Sequence, residues 1–158
     1  MSYSGKFKPK NYKKYRGDPT KIYYRSLWER RFMMYCDNNT AIIEWGSEEI
    51  VIPYLYEVDK KYHRYFMDFK VTWKSGETWL IEVKPEKQTK PPTGNKRTKR
   101  FITEAYTYVK NMNKWEAANE YCKDRKWKFM IWTEKELETQ NILPKRLKPL
   151  KPFKRKKK

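Results

Sequence analysis

Apolar residues recur at helical spacing from Ser26 to about Asn38, where Trp28, Phe32, Tyr35 and Cys36 fall on one stripe, and Asn38-Asn39 ends it. This predicts one amphipathic helix. Short apolar runs at about Ile42–Trp45 and Ile50–Tyr56 read as strands, and β-branched and aromatic residues then alternate from Tyr62 through Trp73 and again from Glu77 to Val83. Between these two runs stands Lys74-Ser75-Gly76, which suits a three-residue hairpin connection with glycine in the left-handed position. Phe101, Ala105, Tyr108 and Val109 predict a helix, and Trp115, Ala118 and Cys122 predict a second one after Asn111–Asn113. A last buried strand spans 126–133, followed by a short helix from Glu134 to Leu137. The order of elements predicts an α/β protein with a mixed sheet flanked by helices.

The hairpin carries the chemistry. If Trp73 faces Glu77 across the three-residue loop, Asp68 lies opposite Glu82 on one face of the sheet and Lys84 shares that face. Two carboxylates so placed repel, with Cβ atoms only about 5 Å apart. A divalent cation between them removes the cost, because a hard ion such as Mg²⁺ binds through one or two carboxylates together with water and substrate phosphate. A two- or four-residue loop would put Asp68 and Glu82 on opposite faces and end the argument.

Charge changes the picture further. The chain has 38 Lys and Arg against 19 Asp and Glu, a formal +19. Six unopposed cations lie between Lys6 and Arg16 and nine between Lys145 and Lys158; taking these fifteen from nineteen leaves +4 for residues 17–144. Two basic ends on a nearly balanced body point to a polyanion, with nucleic acid the leading partner, since each neutralised phosphate releases counterion. A merely solubilising tail is the alternative. Residues 1–20 read as a basic N-terminal arm whose Tyr3, Phe7, Tyr12 and Tyr15 either stack on bases or pin it to the body. The segment 144–158 is too rich in Lys, Arg and Pro to fold alone and is expected to be disordered, which leaves 21–143 as the folded domain. No apolar run approaches membrane-spanning length and no signal core precedes the domain, so a soluble intracellular protein without a membrane partner is expected. Cys36 and Cys122 are expected to be reduced, packed thiols.

Asp68, Glu82 and Lys84 together spell D-(13 residues)-E-x-K. In phosphodiester hydrolysis the carboxylates hold metal, the metal polarises the phosphoryl oxygen and activates water, and a lysine orients that water or offsets developing charge. A solvated sheet face accounts for the same pattern. Glu29 is the next candidate, although Ser26-x-x-Glu29 also matches a capping box, which competes for the same carboxylate. His63, the single histidine, sits at a strand start and reads as surface or packing. Lys99, Arg100 and Lys110 either meet phosphates or form a solvated helix face.

The segments Y-S-G-K, K-Y-R-G-D-P, Y-R-S-L-W-E, W-G-S-E-E-I-V-I-P-Y, H-R-Y-F-M-D-F, L-I-E-V-K-P, K-Q-T-K-P-P, K-W-E-A-A and W-T-E-K-E-L, between about Tyr3 and Leu143, resemble the head completion nucleases of T-even-like tailed phages. That group lies in the PD-(D/E)XK nuclease superfamily, nearest its TnsA-like branch. Met67 stands where the superfamily usually has proline. The resemblance implies a metal-dependent DNA endonuclease in which Asp68, Glu82 and Lys84 match the motif and Glu29 matches the helical glutamate, so that Asp68, Glu82 and Glu29 hold Mg²⁺, for which Mn²⁺ may substitute. It implies action on double-stranded DNA after packaging and before tail attachment, beside head, portal or neck proteins. The expected location is the virion head–tail junction, and the host cytoplasm during assembly. A non-catalytic neck or head-closure protein that binds the DNA end is the competing reading.

Overall fold

The computed structural model describes residues 3–145. In chain order its elements are β1 (Gly5–Lys6), β2 (Tyr23–Tyr24), α1 (Leu27–Asn38), β3 (Ile42–Ser47), β4 (Val51–Tyr56), β5 (Lys61–Phe66), β6 (Phe69–Trp73), β7 (Thr78–Val83), α2 (Lys99–Arg125), β8 (Lys128–Trp132) and α3 (Glu134–Thr139). Strands β3, β6, β7 and β8 form a mixed sheet in that order, antiparallel except for the β7–β8 pair, while β4 and β5 form a separate two-stranded ribbon. This is the α/β architecture expected.

Alternation in β7 serves two cores. Ile81 and the partly buried Trp79 and Val83 face α1, where Phe32, Met33 and Cys36 meet Phe69, Val71 and Trp132. Leu80 faces the other way, toward α2 and the ribbon, among Ile52, Tyr54, Tyr65, Trp115 and Ala118. Both cysteines are free and buried. Among the described residues no helix is long and apolar enough to cross a membrane.

The β6–β7 register is the one the loop length implies: Phe69 pairs with Ile81 and Thr72 with Thr78, the Trp73 amide donates to the Glu77 carbonyl at 2.8 Å, and Gly76 has φ +92°. The long alternating run is not a single strand, however. Ser47 pairs with Phe69 and Val51 with Phe66, so three residues, 48–50, oppose two, 67–68, and Glu48 takes φ +55°. One extra residue makes a bulge that bends the ribbon out of the sheet, and Asp68 sits at the corner. Alternation persists through such a bend, which is why periodicity does not show it.

The two helices expected after the hairpin are one helix of 27 residues, α2. Asn111 and Asn113 do not break it, because asparagine costs only a fraction of a kcal/mol in a helix interior. Asn111, Trp115, Ala118 and Cys122 continue a single buried face, and Asn113 accepts a hydrogen bond from the Glu57 amide at 3.1 Å. Thr98 caps the start, and Lys126 ends the helix in the left-handed conformation at φ +59°.

The basic N-terminal segment is pinned to the body. Phe7 and Tyr15 pack edge-on against Trp45, and β1 pairs with β2. Its charges are used structurally: the Lys14 ammonium donates to the Cys36, Asp37 and Asn39 carbonyls at 2.7–3.1 Å, capping the C-terminus of α1, and buried Asp37 accepts from the Lys10 and Asn11 amides. Tyr3 and Tyr12 remain exposed. Lys14→Met takes one donor from each of three carbonyls, although that of Asp37 keeps Asn11 Nδ2 and that of Asn39 keeps the Ile42 amide; it is expected to cost about 1–3 kcal/mol, read as a lower urea midpoint with an unchanged slope. The lysine-rich stretch from 146 onward, expected to be disordered, lies outside the described residues.

Candidate active site

Asp68 arrives from the bulge and Glu82 from β7, and the structure brings them together. The Val83 amide donates to Asp68 Oδ2 at 3.1 Å, tying the aspartate side chain across to β7. Glu82 is 5% exposed and accepts a hydrogen bond from the Trp115 indole Nε1 on α2. Lys84 follows directly after β7, anchored by its amide to the Trp132 carbonyl at 3.0 Å. Its ammonium stands 3.7 Å from Glu82 Oε1 and 5.8 Å from the centre of the Trp115 ring. Three of the four residues read from the sequence therefore form one group.

Glu29, the fourth, is in the first turn of α1. Ser26 caps that helix by accepting from the Glu29 amide at 3.2 Å, while Glu29 Oε2 accepts from the Arg25 amide at 3.0 Å. The capping box suggested by the spacing is thus only half formed, because the carboxylate reaches the Arg25 amide and not that of Ser26, and its charge still acts on Asp68. Burial raises the Glu29 carboxyl above its ordinary range, the Arg25 amide opposes this, and the nearby Glu48 charge adds to it.

Negative charge is concentrated at the site. Burial, then the charges of Glu82 and Glu29, push the Asp68 carboxyl well above the usual carboxylate range; the Val83 amide and Lys84 oppose this without reversing it. The Tyr65 hydroxyl is buried beside the same carboxylates; burial first, then the Glu82 and Asp68 charges and its interaction with Glu82, raise it as well. The charges of Asp68, Glu82 and Glu29 beside a buried hydroxyl form a group of oxygen atoms whose mutual repulsion a cation would offset. Among the described residues no cluster of three His, Cys, Asp or Glu side chains is poised to ligate one ion. Asp68 and Glu82 are oxygen donors of the kind that hard divalent ions take one or two at a time, with water and substrate oxygen in the remaining positions.

His63 is elsewhere. Its Nε2 is 2.7 Å from Asp59 Oδ2, and its ring stacks on Tyr54 in the ribbon. Lys99 and Arg100 open α2, where Arg100 pairs with Glu104. Sequence reasoning missed Trp115, Tyr65 and Lys114. The first two belonged to apolar stripes that read as core, and their polar atoms gave no signal of their own. Lys114 follows Lys110 by four residues, a like-charge spacing that was the available clue.

Residues 39–134 match the model of the family described as TnsA-like endonuclease N terminal. The chain is also similar to the head completion nuclease of Enterobacteria phage T4, with 48% identity over 139 residues covering 85% of this chain and 93% of that protein.

Proposed function

Because this chain belongs to the TnsA-like endonuclease family, we propose that it is a metal-dependent DNA endonuclease that hydrolyses phosphodiester bonds during phage head completion, after DNA packaging and before tail attachment. The observation that carries this reading is the desolvated Asp68–Glu82 pair with Lys84 beside it. Asp68 and Glu82 would hold Mg²⁺, or Mn²⁺ in its place, and the ion would supply a Lewis acid for a phosphoryl oxygen and for the attacking water. Lys84 orients that water and offsets charge as it develops on the phosphoryl group. Glu29 positions the site through water from the end of α1. Trp115 fixes Glu82 Oε2, while Oε1 faces the Lys84 ammonium at 3.7 Å. In this reading the protein works in the host cell during assembly, on double-stranded DNA at the head–tail junction and against head, portal or neck proteins.

The test is a supercoiled-plasmid assay with Mg²⁺, Mn²⁺ or EDTA. Nicked and linear products that need the ion are expected. Plasmid that is bound and left intact with either ion would leave a head-closure protein without catalysis. Trp115→Phe keeps the ring and removes the N–H donor. It is expected to weaken Mn²⁺ binding or cleavage about 10- to 100-fold, measured by calorimetric titration and by initial nicking rate.

A further inference from the structure

The middle of α2 presents a lysine that none of the interactions described above uses. Lys114 points into the ribbon side of the site, with its ammonium 5.3 Å from the centre of the Tyr65 ring and 5.9 Å from that of Tyr54. It has neither a hydrogen bond nor an ion pair among the described residues, although Glu82 and Asp68 are within electrostatic reach. Burial favours its neutral form, and the Lys84 and Lys110 charges act in the same direction. Lys110 lies one turn earlier on α2, with its ammonium 4.8 Å from the centre of the Tyr56 ring.

Two like charges at this spacing on a helix repel by about 0.2–0.5 kcal/mol. Tyrosine faces hold both ammoniums in place without neutralising them. Lys84, Lys114 and Lys110 therefore form a row of cations that starts at the carboxylates and climbs toward the start of α2, with about 6 Å of axis between the last two. That spacing is comparable with the separation of successive phosphates along one nucleic-acid strand.

We propose that Lys114 and Lys110 bind consecutive backbone phosphates of the DNA strand held at the carboxylate pair, so that the strand leaves the site along the N-terminal half of α2. The direction of the strand rests on the nuclease reading of that site; the phosphate contacts do not. Lys114 takes the phosphate nearer to Lys84 and Lys110 the one beyond it. The basic ends of the chain then add affinity without setting the path.

Binding of a fluorescein-labelled blunt 20-base-pair duplex, followed by anisotropy in EDTA across a series of NaCl concentrations, tests this. Each of Lys114→Met and Lys110→Met is expected to flatten the slope of log K against log salt by about one. Lys114→Arg is expected to keep the wild-type slope. Lys74→Met, in the β6–β7 loop at the opposite end of the strands, is expected to leave it unchanged. With Mn²⁺ present, Lys114→Met is expected to slow cleavage at least tenfold with unchanged calorimetric ion binding. If Lys114→Met fails to fold, Lys114→Gln and Lys110→Met supply the same slope reading. Slopes equal to wild type in the α2 variants, or an equal loss in Lys74→Met, overturn the proposal. A wild type that does not cleave, combined with flattened slopes in the variants, supports the phosphate row and removes the nuclease reading instead.

Discussion

Asp68→Asn is expected to abolish DNA cleavage, by a factor of about a thousand or more, while making the metal-free protein more stable. Asparagine keeps an oxygen to accept from the Val83 amide and removes a buried charge that Glu82 and Glu29 oppose. Relief of an unpaired, desolvated carboxylate is expected to add about 1–3 kcal/mol. At roughly 2–4 °C per kcal/mol for a chain of this size, a rise of several degrees in Tm by calorimetry in EDTA checks it. A carboxylate kept for structure would show the reverse, with Tm falling together with activity. Adding Mn²⁺ should raise the wild-type Tm and leave that of the variant where it was, because an ion that binds only the folded state stabilises it by mass action.

Lys84→Met gives the second large effect. Removing a cation aimed at developing charge costs about 10²–10³ in rate at sites of this type, so single-turnover cleavage is expected to fall by that factor. Ion binding should hold or tighten, since the ammonium stands 3.7 Å from Glu82 Oε1 and competes for it. The fold should be little altered, because the Lys84 amide bond to the Trp132 carbonyl is independent of the side chain. Loss of ion binding in this variant would assign Lys84 to building the pocket and would contradict a role in the chemical step.

Where the sequence was legible, short-range geometry made it so. A three-residue loop with glycine at its end dictates the pairing parity, so the opposition of Asp68 and Glu82 is legible in the sequence itself. Ser26 announced the start of α1 for the same reason: its hydroxyl serves an amide three residues away. The bulge at 48–50 against 67–68 was not legible, because both strands keep alternating through it and its one signature, positive φ, falls on Glu48. The continuity of α2 was hidden by Asn111–Asn113, whose weak helix preference is overridden by packing of the helix on the ribbon. Trp115 could be placed on a buried face, but its indole N–H bond to Glu82 joins positions 33 residues apart. Contacts of that range depend on where α2 crosses β7, which local patterning does not encode.

The central claim is that Asp68 and Glu82 form a divalent-ion site, and calorimetric titration of Mn²⁺ into wild type and Asp68→Asn tests it most directly. The account predicts saturable uptake by the wild type that is lost in the variant while the variant remains folded. Uptake that is equal in the two proteins, or absent from both, would contradict it.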